Sequence, residues 1–224
     1  MTKRINSTNS ITTQGMLIVV SGPSGVGKGT LCNILINRVE NLFLSISATT
    51  RLPRVGEIDG QNYIFMSHEV FEEKIRKGDF LEWARVYNNY YGTPKDMVYQ
   101  QLREGKDVVL EIDIQGAAQV KKNHPQGIFI FISPPNINEL KKRIIKRGSD
   151  SKDSIELRMK CAADEIKAAL DYDYIILNDD LNQAALSLQS IVLAERCKVS
   201  RNTKILQKLR EECGDDVSVH RLTY

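Results

Sequence analysis

Lys28 stands near the end of the run Gly22-Pro23-Ser24-Gly25-Val26-Gly27-Lys28-Gly29-Thr30, directly after the apolar stretch Met16-Leu17-Ile18-Val19-Val20. A buried strand that runs into a glycine-rich turn and then a helix is the setting a phosphate-binding P-loop requires. Glycines let successive backbone N–H groups curl round an anion, and the following helix turns its positive end toward it. Lys28 adds a mobile full charge for the β- and γ-phosphates. A plain strand–turn–helix connection does not call for glycines and a lysine at these offsets, so a nucleotide is the implied ligand. Gly29 departs from the motif, because it stands where a Ser or Thr hydroxyl usually meets Mg²⁺. The loop therefore offers no direct side-chain metal ligand at that position.

A second group of residues suits anions as well. Arg51 and Arg54 are three apart around Pro53, and guanidinium forks fit phosphate bidentately. Tyr63 and Tyr91 each carry a phenolic hydroxyl that can donate to such an anion. Further along, Arg143 and Arg147 are four apart and share a helix face, and Arg158 on the next helix could join them. Lys141 and Lys142 read as a solvated face. Cys32, Cys161, Cys197 and Cys213 are scattered without a CxxC or Cys/His cluster, which points to reduced thiols rather than a zinc site or a disulfide framework. His68, His124 and His220 have no partner at ligand spacing and read as surface residues.

The elements that must position these groups follow from apolar periodicity. β-Branched runs recur at Leu17–Val20, Leu42–Ile46, Val108–Ile112, Ile128–Ile132 and Tyr174–Leu177, with helical patterns between most of them. That alternation predicts an α/β fold with a parallel sheet covered by helices. After the glycine-rich loop, Leu31, Ile34, Leu35 and Val39 share a helix face. Ser67 is placed to cap a helix carrying Val70, Phe71 and Ile75 and ending at Gly78. Thr93-Pro94 predicts another, with proline at the first helical position, ending near Gly105. Some sixty residues before Val108 do not read as one crossover helix. Their aromatic residues and turn glycines predict an inserted lobe of short strands, with Phe65, Phe71 and Trp83 as a small satellite core. A basic helix, Glu139 to Arg147, is followed by a polar turn and a helix from Ser154 to Leu170. A long amphipathic pattern then runs from Asn182 toward Leu209.

At 224 residues and 42% hydrophobic the chain can bury a substantial core, and its net charge of +3 is too small to argue for nucleic acid or a membrane surface. Residues 1–15 hold Lys3 and Arg4 but no apolar signal region, and read as a disordered tail. No apolar stretch reaches transmembrane length, and the scattered, reduced cysteines lead to the expectation of a cytoplasmic protein.

The segment Ser47-Ala48-Thr49-Thr50-Arg51-Leu52-Pro53-Arg54-Val55-Gly56-Glu57, then Gly60-Gln61-Asn62-Tyr63, Asn89-Tyr90-Tyr91-Gly92-Thr93 and Glu111-Ile112-Asp113-Ile114-Gln115-Gly116, closely resembles the guanylate kinase family. The resemblance runs in order from about Met16 to Arg196 and includes Asn178-Asp179-Asp180. It implies a P-loop NTPase-type three-layer fold. The core would be 16–46 and 106–196, the GMP-binding lobe 47–105 and the helical lid about 137–160, with a C-terminal helix and tail over 197–224. It also implies transfer of the γ-phosphoryl of ATP to GMP, with Mg²⁺ accompanying ATP, and leaves open whether dGMP is a second acceptor. By that similarity Arg51, Arg54, Tyr63 and Tyr91 hold the GMP phosphate. Glu82 and Asp113 accept from the guanine N–H groups, and Ser47 and Thr93 supply hydroxyls near the base. Lys28 holds the donor phosphates, Arg147 and Arg158 close over the transferred group, and Arg143 is a weaker candidate for the same lid. Two rival readings stay open here: a non-catalytic guanylate-kinase-like module that binds protein, and a kinase for another nucleoside monophosphate. The oligomeric state, homo-oligomer or not, is likewise open.

Overall fold

A computed structural model of the chain describes residues 14–86, 88–146 and 152–213, and the side chains of all these except 152–158 and 163. They fall into two compact units, residues 14–189 and residues 190–213.

The larger unit is built on a five-stranded sheet of β1 (Leu17–Ser21), β2 (Leu42–Leu44), β7 (Asp107–Glu111), β8 (Ile128–Ser133) and β9 (Tyr174–Leu177). Its order is β2-β7-β1-β8-β9, and every pairing is parallel. All five residues of β1 are buried, as a central strand covered on both faces must be. Leu17 and Val19 pack on one face with Val98 and Leu102 of α3 (Lys95–Arg103) and Ala117 and Val120 of α4 (Ile114–Asn123). Ile18 and Val20 point the other way, where α1 (Lys28–Arg38) packs against β1, β2 and β7. The five expected runs are the five strands, although the second stops at Leu44, two residues early.

Between β2 and β7 a second sheet is inserted. It consists of β3 (Ala48–Thr49), β4 (Ile64–Phe65), β5 (Phe80–Val86) and β6 (Asn89–Pro94) in the order β4-β3-β6-β5. Helix α2 (His68–Lys77) is capped by the Ser67 hydroxyl, which accepts from the Val70 N–H at 3.4 Å, and it ends at left-handed Gly78. Its Phe71 is fully buried and stacks on Phe80 and Tyr90, at 4.3 and 5.3 Å between ring centroids. This small core includes Phe71 as expected but not the other two aromatics. Trp83 is 37% exposed, with its ring edge on Tyr90, because the two-residue period of β5 turns it away from the face that buries Glu82. Phe65 lies instead under the Arg51 guanidinium. Pro94 also differs from expectation: it closes β6 and sits one position before α3, which starts at Lys95.

Helices α5 (Ile137–Lys146) and α6 (Lys152–Lys167) follow β8 and pack on each other, and a 3₁₀ turn over Ala168–Asp171 leads into β9. The expected continuation of the second helix to Leu170 is thus a change of helix type. Arg147 and the polar turn before α6 lie outside the described residues, as does the Arg158 side chain. Helix α7 (Leu181–Arg196) is followed by a 3₁₀ turn at Val199–Arg201 and α8 (Thr203–Cys213), so the long amphipathic pattern is two helices rather than one. The Asn202 amide donates to the carbonyls of Arg196 and Lys198, both at 2.8 Å, and closes the break between them. No helix among the described residues is long and apolar enough to cross a membrane.

Candidate active site

The carboxyl ends of β1 and β7 open into a cavity of about 850 Å³, walled on its other side by the inserted sheet. Ligands collect at such strand ends in open α/β sheets. The loop after β1 forms one wall. Gly27, the residue before α1, has a φ of 101°, and a side chain there would begin 2.6 Å from the Asn178 amide nitrogen, so only glycine fits. No side chain caps α1, and Lys28, Gly29 and Thr30 of its first turn line the cavity beside Gly22, Ser24 and Gly25. Their N–H groups are the uncapped positive end that an anion requires.

Lys28 is half-buried and donates to the carbonyls of Gly22, at 2.6 Å, and Pro23, at 3.2 Å. Burial lowers its pKa, and Glu111, Glu165 and Asp113 act in the opposite direction. Val26 is fully buried, and its carbonyl accepts from the Asn178 amide at 2.7 Å. Asn178 in turn accepts at its backbone carbonyl from Arg143 Nη1 at 2.9 Å. Reading the sequence did not assign Asn178 a role. Its only signal was membership of the Asn-Asp-Asp triplet after β9.

The inserted lobe supplies the opposite wall. Arg51 meets Glu57 through two bonds of 2.9 Å, and its guanidinium lies over the rings of Tyr63 and Phe65. The Glu57 bond raises the Arg51 pKa, and burial raises that of Tyr63. Tyr63 and Tyr91 stand edge to face, 6.1 Å between centroids, and both line the cavity with Arg54 and Ser47.

Glu82 on β5 is 4% exposed and accepts from the Thr93 hydroxyl at 2.6 Å. Burial pushes its pKa up to about 7, against the lowering effect of that hydrogen bond. Thr93 is fully buried and donates its hydroxyl hydrogen bond to this carboxyl group, so it holds Glu82 in place. Gly116 is required opposite: a side chain there would begin 2.3 Å from the second Glu82 oxygen. Asp113 caps α4, accepting from the Gly116 N–H at 2.8 Å, and so stands two residues past the end of β7 at the cavity edge. Helix α6 adds Cys161, Asp164 and Glu165, which the sequence had not marked. Cys32, by contrast, lies on the buried face of α1, where burial pushes its thiol pKa up.

Near Gly29 the neighbour is Glu111, whose carboxylate oxygens lie 3.1 and 3.3 Å from where a side chain would begin. The described residues hold no cluster of three His, Cys, Asp or Glu side chains able to cage a metal ion.

Known proteins of one family resemble the chain. The guanylate kinase family model matches residues 14–195. The chain is 54% identical over 203 residues to the guanylate kinase of Caldanaerobacter subterraneus subsp. tengcongensis, covering 91% of this chain and 98% of that one. It is 51% identical over 200 residues to the guanylate kinase of Clostridioides difficile, covering 89% and 98%. In solved structures it resembles guanylate kinase from Anaplasma phagocytophilum, with a TM-score of 0.74 and 31% identity over 92% of this chain and 97% of that one.

Proposed function

The chain belongs to the guanylate kinase family, ATP:GMP phosphotransferases, and from that premise we propose how its residues divide the reaction. The observation that carries the assignment is one cavity reached by two sets of cationic groups. The loop after β1 and Lys28 stand on one wall, and Arg51 and Arg54 with Tyr63 and Tyr91 stand on the other. Two polyanions must be brought together, and the attacking phosphate oxygen of GMP is already ionised near neutral pH. No general base is needed; positioning and charge stabilisation are what the site must supply.

The amides of the α1 first turn and Lys28 hold the ATP phosphates. Arg51, Arg54, Tyr63 and Tyr91 hold the GMP phosphate. Glu82 and Asp113 accept from the guanine N1–H and exocyclic amine, Thr93 keeps Glu82 in place, and the Ser47 hydroxyl faces the base. Adenine presents an unprotonated N1 and an amino group, the opposite pattern, so AMP leaves a carboxylate unpaired. Such a mismatch can cost a factor of about 10⁴. Arg147 and Arg158 act on the transferred group by resemblance to the family.

The chain fits Mg²⁺ held mainly by ATP oxygens and water. Gly29 presents no side chain, and the hard oxygen donors of Glu111 that stand beside it would help to hold the ion or its water shell. When bound, the ion neutralises phosphate charge. Glu111 would orient its water shell.

The test is a coupled ADP-release assay with ATP against GMP, dGMP, AMP, UMP and dTMP. Turnover confined to the guanine nucleotides is expected. Comparable turnover with AMP would remove the assignment of Glu82 and Asp113.

A further inference from the structure

Arg51 carries five N–H donors; three of them go to the Leu52 carbonyl and Glu57, and the Tyr91 hydroxyl is a further hydrogen-bond partner of the guanidinium. Nη1 donates to the Leu52 carbonyl at 2.7 Å and to Glu57 Oε2 at 2.9 Å, and Nη2 donates to Glu57 Oε1 at 2.9 Å. The terminal fork of the guanidinium is therefore filled. Its side edge, made of Nε–H and the second Nη2–H, is a second planar fork of the kind that takes two phosphate oxygens. Tyr63 and Phe65 flank the group, with the guanidinium carbon 5.3 and 5.8 Å from their centroids. The same carboxylate does a second task. Glu57 Oε2 accepts from the Arg54 backbone N–H at 2.7 Å, while the Glu57 N–H donates to the Arg54 carbonyl at 3.0 Å. One turn thus sets where both cavity-lining arginines start. The Arg51 and Glu57 side chains are 14% and 18% exposed, so the pair is partly shielded from solvent.

We propose that Glu57 is a positioning residue for acceptor binding: its carboxylate fixes the terminal fork of Arg51 so that the side edge is presented to the phosphate of a nucleoside monophosphate. The inference rests on the reading that Arg51 takes that phosphate. An unheld arginine samples many rotamers, and freezing it on binding weakens the acceptor. Glu57 does not touch the reacting atoms, and its effect falls on acceptor affinity rather than on the chemical step.

The opposite arrangement is also chemically coherent: the carboxylate could stand in the phosphate's place and have to leave. The two predict opposite signs. In the full-length protein, Glu57→Gln keeps the shape but loses the charge and one of the two acceptor oxygens. The KM for GMP should rise about tenfold, with kcat within about twofold and the KM for ATP unchanged. Glu57→Asp, which keeps the charge, should fall between wild type and Glu57→Gln. Calorimetric titration with guanosine, which lacks the phosphate, should give the same affinity for wild type and Glu57→Gln. A KM for GMP that is unchanged or lower in Glu57→Gln overturns the proposal, and so does an equal loss of GMP and guanosine affinity, which would mark general damage to the lobe. Arg51→Ala is assayed alongside. If it leaves the KM for GMP unchanged, the assignment of Arg51 itself fails; if it raises that KM while Glu57→Gln does not, only the role of Glu57 fails.

Discussion

Glu82 makes the free protein sensitive to pH in a direction opposite to that of most carboxylates. Its ordinary pKa of 4.5 is raised to about 7, with burial as the main cause and the Thr93 hydrogen bond opposing it. The folded protein therefore binds this proton more tightly than the unfolded chain does. Stability from this group is complete below pH 4.5 and is lost as pH rises through about 7. Linkage over those two pKa values gives a loss of about 2 kcal/mol between roughly pH 5.5 and 8.5. Glu82→Gln keeps the shape and can still accept from Thr93, but it does not titrate. In nucleotide-free protein unfolded by urea, the stability of the variant minus that of wild type should grow by about 2 kcal/mol across this window. Other titrating groups cancel in the difference. The guanine N–H donors favour the ionised carboxylate, so GMP binding near pH 7 should also release protons. Calorimetry in two buffers of different ionisation enthalpy reads that release. Parallel stability curves for the two proteins, with no buffer dependence of the GMP enthalpy, would refute the reasoning.

Asn178→Ala leaves the buried Val26 carbonyl without its 2.7 Å partner, a loss of about 1–3 kcal/mol. Steady-state kinetics should show a KM for ATP raised about tenfold with the KM for GMP unchanged, because the loop and not the lobe is disturbed. Gly29→Ser should fold and remain active. The Glu111 carboxylate has to yield only a few tenths of an ångström (about that by contact distance), and a hydroxyl next to the metal site should keep the Mg²⁺ requirement equal to or below that of wild type. A Mg²⁺ titration at fixed ATP checks this. Arg147→Ala and Arg158→Ala should each lower kcat with little change in the KM for GMP, as expected of groups that act mainly at the transition state.

What could be read from the sequence divides by the range of the interactions involved. The five core strands announce themselves because each is a short continuous apolar run, largely buried in the central β1, β7 and β8, and the loop after β1 because its glycines are tied to backbone geometry. Ser67 and Gly78 mark both ends of α2 through local hydrogen bonding alone. The errors fall where tertiary packing decides. Trp83 looks like core, but strand alternation makes Glu82 the buried neighbour and leaves the indole half in solvent. Pro94 suits a first helical turn, yet its strand pairs with Phe80 and carries the extended conformation through it. Asn178 braces a loop 152 residues earlier, a contact no local pattern can signal. Glu57 was visible only as one letter of a longer motif, since its work lies in where its two oxygens point.

The two walls of the cavity satisfy their cations differently, and under the proposed division of roles this would set how each phosphate is received. Lys28 rests on two neutral carbonyls, Gly22 and Pro23, while burial lowers its pKa. An ionised phosphate is a stronger acceptor than a carbonyl, so ATP can take the ammonium from these partners with a gain in charge-assisted hydrogen bonding. Arg51 instead rests on a carboxylate, which already offers full charge and bidentate geometry. Exchanging that partner for a phosphate gains far less, so acceptor binding is favourable through the edge that Glu57 leaves open. On the proposed assignments, donor phosphate would be received by exchange and acceptor phosphate by addition. Both modes keep the cations oriented before substrate arrives, so less reorganisation is left for the moment of transfer.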